Sequence, residues 1–162
     1  MIVVSNTSPL TNLAAVGQFN LLQNLYGQIE IATGVWHELN ANGQAWPGSK
    51  EVKNSPWITQ HVIQNEPMVI ALQRDLDRGE AESIVLALEL NADIVLLDER
   101  DGRHAAKRFG LQVVGVLGVL LEAKANGLIE SIRPHVDNLQ QEAGFYISNS
   151  VYQTALHLAQ EI

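Results

Sequence analysis

The chain has 162 residues, 46% of them apolar, which is enough to bury a real core and too much for a disordered polymer. It contains no cysteine, so disulfides and thiolate metal sites are excluded. With 10 basic and 18 acidic side chains the formal net charge is −8, so nucleic acid cannot be held by bulk charge; any hold on it needs a local basic patch, a metal ion or a partner.

The first stretch, Met1-Ile2-Val3-Val4, reads as a short buried strand with no basic region ahead of it, so no signal peptide is expected. It stops at Ser5-Asn6-Thr7-Ser8-Pro9, where Thr7 or Ser8 can cap a helix and Pro9 suits the first helical position. Asn6 then sits at a strand's carboxyl end, where open parallel sheets place their ligands, although a plain turn residue would stand there equally well. Asn6-Thr7-Ser8 also matches a glycosylation sequon, set aside because nothing marks the chain as secreted.

Leu10, Leu13, Ala14 and Val16 continue the helix to Gly17, and Phe19 to Leu25 form a second, stopped near Gly27. Gln28 to Ala32 is a strand, and Thr33 can cap a helix through Leu39. Asn40 to Pro56, with Gly43, Pro47 and Gly48, reads as a surface loop holding one helical turn at Ser49 to Lys53. Trp57 to Ile63 is an edge strand, and Pro67 opens a helical pattern that Gly79 breaks. Glu80 to Asn91 is a strong helix with Ala81, Ile84, Val85 and Leu88 inward. Ile94 to Leu97 is a strand covered on both faces. Glu99 to Phe109 is helical with Gly110 as its C-cap, Gln112 to Val116 another buried strand, and Gly118 to Asn126 a helix ended by Gly127. Ile129 to Leu139 is helical, Phe145-Tyr146-Ile147 a small strand, and Ser148 caps a last helix with Val151, Ala155, Leu158 and Ala159 on one face. The longest nearly pure apolar run, Val113 to Leu121, is too short to span a bilayer. The rhythm is that of a doubly wound α/β domain, without repeats or a dividing linker.

Asn6 and Asp98 both follow a buried strand, so an open parallel sheet can set them side by side on one rim. Glu80 opens the helix leading into the Asp98 strand, Asp101 lies three residues beyond Asp98 on the same side of the next helix, and Glu38 closes a short helix. Two like charges about 4 Å apart repel by ~4 kcal/mol at an effective dielectric near 20, so such acids either hold protons or share a divalent cation. An all-oxygen site suits magnesium or manganese, which can activate water and stabilise a phosphoryl transition state. A glycosidase pair of carboxylates is the other chemistry, and the strand-end placement argues against it.

These segments together resemble the PIN-domain superfamily of small metal-dependent ribonucleases, which includes the VapC-type toxins. Val4-Ser5-Asn6-Thr7-Ser8-Pro9-Leu10 is similar to a first motif with aspartate at the place of Asn6, in a poorly characterised branch. Val35-Trp36-His37-Glu38-Leu39, Gly79-Glu80-Ala81-Glu82-Ser83-Ile84, Leu96-Leu97-Asp98-Glu99-Arg100-Asp101 and the segment Val114 to Leu120 resemble the motifs that follow, in the same order over nearly the whole chain. The resemblance implies Asn6, Glu38, Glu80 and Asp98 as catalytic positions, and Asn6, Glu80, Asp98 and Asp101 as ligands of Mg²⁺ or Mn²⁺. Glu82 competes with Glu80, but Glu80 stands eighteen residues before Asp98, the separation of the third and fourth acids in such domains. Asn6 is the departure: it keeps an oxygen donor and loses a full charge, so metal affinity should fall.

Arg100, Arg103, His104 and Lys107 share one helix face that starts beside Asp98. It reads either as a solvated face or as a phosphate-contacting strip of Arg100, Arg103 and Lys107 that lays RNA across the acids. The expectation is a single PIN-like domain over 1–162, a three-layer α/β/α sandwich with a mainly parallel sheet. Its expected function is a cytoplasmic, metal-dependent single-strand ribonuclease that is a homodimer and the toxin partnered by an antitoxin. The rival is a non-catalytic module of the same fold that binds RNA or protein.

Overall fold

The computed structural model describes residues 1–40 and 46–162, so the Gly43 turn signal lies outside the described residues. In chain order the elements are β1 (Val3–Ser5), α1 (Thr7–Ala15), α2 (Leu21–Tyr26), β2 (Ile29–Ala32), α3 (Thr33–Leu39), α4 (Ser49–Lys53), β3 (Ile58–His61) and α5 (Glu66–Leu72). There follow α6 (Arg78–Glu89), β4 (Ile94–Leu96), α7 (Arg100–Arg108), β5 (Val113–Val114), α8 (Val116–Ala125), α9 (Arg133–Gln141) and α10 (Asn149–Leu158). The strands form one sheet in the order β3-β2-β1-β4-β5, with every pairing parallel.

Strand alternation splits the core in two, because successive side chains point to opposite faces. Val3, Ile29, Ile31, Ile94 and Leu96 pack with α1, α2, α8, α9 and α10 on one face. Val4, Ala32, Val95 and Leu97 pack with α6 and α7 on the other. Both faces are apolar, which explains the unbroken hydrophobic runs of β1 and β4. The expected three-layer sandwich is observed, and its sheet is wholly parallel.

The chain runs outward from β1 through β2 to β3, then returns through α6 to place β4 against the other side of β1. The strand order therefore reverses between β1 and β4, the crevice where open sheets carry their sites. Ser5 pairs with Leu96, and the Asn6 N–H donates to the Leu96 carbonyl at 2.9 Å.

Several local expectations are corrected. Asn6 itself occupies the N-cap of α1, so Pro9 stands third in the helix, still within the turn whose N–H groups have no intrahelical partner. Thr33 does not cap α3; its hydroxyl donates to the His61 carbonyl at 3.1 Å and ties α3 to β3. Gly79 does not break a helix but lies in the first turn of α6, behind a capping box of Asp77 and Glu80. β5 is two half-buried residues at the sheet edge, not a buried strand, and α8 begins two residues earlier than its glycine suggested. Phe145–Ile147 is not a strand. On α10 the inward residues are Ala155 and Leu156, while Val151 and Leu158 are exposed.

Candidate functional site

The rim above β1 and β4 is built from chain turns that leave the sheet. Asn6, 3% exposed, has its side-chain oxygen 3.5 Å from the Ser83 hydroxyl, which itself donates to the Gly79 carbonyl. Asp98 follows β4 directly. Its Oδ1 accepts the Val116 N–H at 2.9 Å, so it caps α8, and its Oδ2 faces the Ser8 hydroxyl at 3.4 Å. Glu38, from α3, accepts the Thr7 hydroxyl and the Gly79 N–H. Glu80 and Asp77 exchange hydrogen bonds with each other's backbone N–H. First-turn residues of α1 and α6 thus hold Glu38, while β4 and α8 hold Asp98.

Burial raises the affinity of these acids for protons. Glu80 is pushed up to about 7, first by burial and then by the charges of Asp77 and Glu99, against the Asp77 N–H. Asp98 is pushed up to about 6 by burial and Glu99, against the Val116 N–H, Arg103 and Ser8. Burial also raises Glu38 and Glu99, and the charge of Asp77 adds to each. The cation that offsets Asp98 is Arg103, whose guanidinium donates to the Leu97 carbonyl at 3.0 Å.

Three glycines let the acids sit this close to backbone. A Cβ on Gly79 would overlap the Glu38 carboxylate, one on Gly102 would lie 2.9 Å from Glu80 Oε2, and one on Gly115 would lie 2.8 Å from Asp98 Oδ1. These glycines, with Thr7, Ser8, Ser83, Asp77 and Glu99, are site components that sequence reasoning did not single out. Asp77 had a legible signal, because it precedes Glu80 by three residues as a capping-box residue does.

Of the proposed ligands, Asp101 shares none of the hydrogen bonds that tie the others in place. It is exposed and lines a separate groove with Asp75, His104 and Arg108. Glu82 is 3% exposed but engaged elsewhere, accepting the Gly34 N–H at 2.9 Å and Arg78 Nε at 2.6 Å. Arg100, Arg103 and Lys107 line one small depression with Asp98 and His104, so the basic face does begin at the acids.

The donor set of Asn6, Glu38, Glu80 and Asp98 is all oxygen, and burial strains its charges in a way that a divalent cation would relieve, so it fits magnesium or manganese in chemistry. It is not a preformed cage: among the described residues no three His, Asp or Glu converge as they stand on one metal position.

A wholly parallel sheet flanked by helices, with carboxylates on the turns around its switch point, defines an α/β sandwich domain. A sequence-family model described as a PIN domain matches residues 2–161, and the chain belongs to the PIN-domain family. Domains of this family are generally dependent on divalent metal. No curated protein matches the chain. Among the described residues no helix is long and apolar enough to cross a membrane.

Proposed function

We propose that the chain is a single-domain, Mg²⁺- or Mn²⁺-dependent endoribonuclease acting on single-stranded RNA, and the toxin of a toxin–antitoxin pair. What supports this reading is that Glu38, Glu80 and Asp98, each buried or half-buried on the turns around β1 and β4, all have raised proton affinities. Glu80 and Asp98, with the Asn6 amide oxygen, would hold the metal, which when bound supplies a Lewis acid for the phosphodiester and for water. Val116 N–H and Ser8 orient Asp98, while Thr7 and Gly79 orient Glu38. Glu38, held by those two donors, would accept a proton from attacking water. Arg100, Arg103 and Lys107 would carry the phosphates of the strand. Asp101 is left out of the ligand set because none of the hydrogen bonds holding the acids involves it. The exposed Val151 and Leu158 of α10 support a homodimer, which a monomer mass by light scattering at micromolar concentration would remove.

The amide at position 6 and the open arrangement of the acids favour a second reading, a PIN module that binds RNA or protein without cleaving. Calorimetric titration with manganese separates the two. Binding by the native chain supports the enzyme, and binding by Asn6→Asp alone supports the module.

A further inference from the structure

An open groove of about 880 Å³ runs between the free edge of β5 and the irregular segment before α10, and Asp98 is among its lining residues. Arg100 and Arg103 line it from α7, Val114 and Leu117 supply apolar surface, and Phe145 and Tyr146 line it from that segment. Tyr146 is 85% exposed, so packing does not account for this aromatic ring. Four of the chain's ten Lys and Arg residues stand in α7, in a protein of net charge −8. Positive charge, a planar aromatic and apolar surface thus share one groove with a rim acid.

A single strand asks for that combination, since its phosphates need cations while its bases need aromatic faces. A peptide strand paired on the sheet edge is less well served: β5 offers only Val113 and Val114, too short for a useful ladder. Glu122, an acid in the groove, is engaged by the Tyr26 hydroxyl at 3.2 Å.

We propose that this groove receives the nucleotides flanking the scissile phosphodiester, with Tyr146 as a stacking platform for a base and Arg100 as a phosphate contact. The inference rests on the ribonuclease reading and adds to it where the strand leaves the acids. Stacking reads no base edge, so the subsite is tolerant of sequence and favours bases that stack well.

The test uses the full chain with cleavage blocked by Glu80→Gln, a residue outside the groove, and a short fluorescent single-stranded RNA followed by anisotropy. Tyr146→Ala should weaken binding by between about fivefold and about 150-fold, equivalent to ~1–3 kcal/mol. Tyr146→Phe should stay within about twofold of the parent, because the ring is kept. The salt dependence should be the same in all three, since stacking releases no counterions. On a strand made abasic along the flanking nucleotides, Tyr146→Ala should make no difference. Equal binding of intact RNA by Tyr146→Ala and its parent overturns the subsite while leaving the ribonuclease reading intact, and it is the result expected if a peptide occupies the groove. An equal loss on intact and abasic strands also overturns it. Failure of both this parent and the native chain, each with manganese present, to bind RNA removes the ribonuclease reading and the subsite together.

Discussion

Glu80 and Glu82 stand two positions apart on α6, 6% and 3% exposed, and the helix turns them about 200° from one another. Glu82 meets the Gly34 N–H and the Arg78 guanidinium, which reaches on to Glu66 at 2.8 Å. Glu80 meets Asp77 and the charge of Glu99. Two carboxylates of nearly equal burial therefore do opposite things. Glu82 has its charge matched and fastens α3 to α6. Glu80 closes the capping box of α6 through the Asp77 N–H, but no cation stands against its charge, which raises its proton affinity. The company a buried acid keeps, more than its depth, decides whether its charge is matched.

The sharpest way to break that contrast is to neutralise each acid in turn. Glu80→Gln keeps the N3 capping side chain and should lower metal-dependent RNA cleavage by ~100-fold or more, while metal-free thermal stability holds or rises. Glu82→Gln should do the reverse. It should cost ~2–3 kcal/mol of stability, because a charged group bonded to a buried N–H is lost, and cleavage per folded molecule should be unchanged. A Glu82→Gln protein as stable as the parent, with cleavage lost, would exchange the two roles.

The sequence made the layers legible because both faces of β1 and β4 are apolar, and it made Asn6 and Asp98 neighbours because each ends a buried strand. It chose Glu80 over Glu82 only through a motif separation, since helical periodicity cannot say which neighbour carries a counter-charge. The helical spacing that paired Asp101 with Asp98 carries little weight, because three residues along a helix share a face only when both lie within it, and Asp98 lies before α7 begins. The hydroxyls of Thr7 and Ser8 and the glycines beside each acid were out of reach, because their roles exist only between α1, α3, α6 and α8. Phe145-Tyr146-Ile147 reads as a small strand, but among the described residues no strand pairs with it.

Proton linkage tests the unmatched half of the contrast without changing its geometry. Asp98 and Glu80 have folded-state values of about 6 and about 7, above their ordinary 3.8 and 4.5. The folded state therefore binds more protons than the unfolded chain in this window, so stability falls as pH rises from about 4 through about 7 and then levels off. A tenfold difference in proton affinity between the folded and unfolded chain is worth ~1.36 kcal/mol, so each group contributes at most ~3 kcal/mol. Denaturant midpoints at pH 5 and 8 for the parent and for Asp98→Asn isolate the effect, and the parent should lose more. Manganese, which favours the charged acids, should erase the difference. A parent that matches Asp98→Asn across this range would mean that Asp98 is well solvated, and one that gains on it as pH rises that Asp98 is well paired.

A smaller effect is expected at Asn6, where the family resemblance implies a carboxylate. Asn6→Asp should add one more unmatched charge, tightening manganese binding by roughly tenfold, or ~1.4 kcal/mol, and lowering metal-free stability at pH 8. Unchanged affinity would place position 6 outside the metal's reach and leave its amide as a partner of the Ser83 hydroxyl.

The smallest effect concerns how the strand reaches the acids. The basic face of α7 is not uniform: Arg103 is tied to the Leu97 carbonyl beside Asp98, whereas Arg100 and Lys107 are exposed. Replacing Arg103 would disturb the acid it neighbours, so the clean probe is the pair Arg100→Ala and Lys107→Ala. If both side chains meet phosphates, each lost contact should reduce the slope of log affinity against log salt by ~0.7 for a single strand, or ~1.4 together. Affinity should drop by a similar factor for every sequence, because phosphate contacts position a strand without reading it. Manganese binding should not change, since neither side chain holds the acids. The measurement is RNA anisotropy over a range of salt concentrations in the Glu80→Gln background. A slope equal to the parent's would make this face a solvated one. The −8 chain would then lack a positive track to its acids, which is the outcome that favours the partner-binding module over the nuclease.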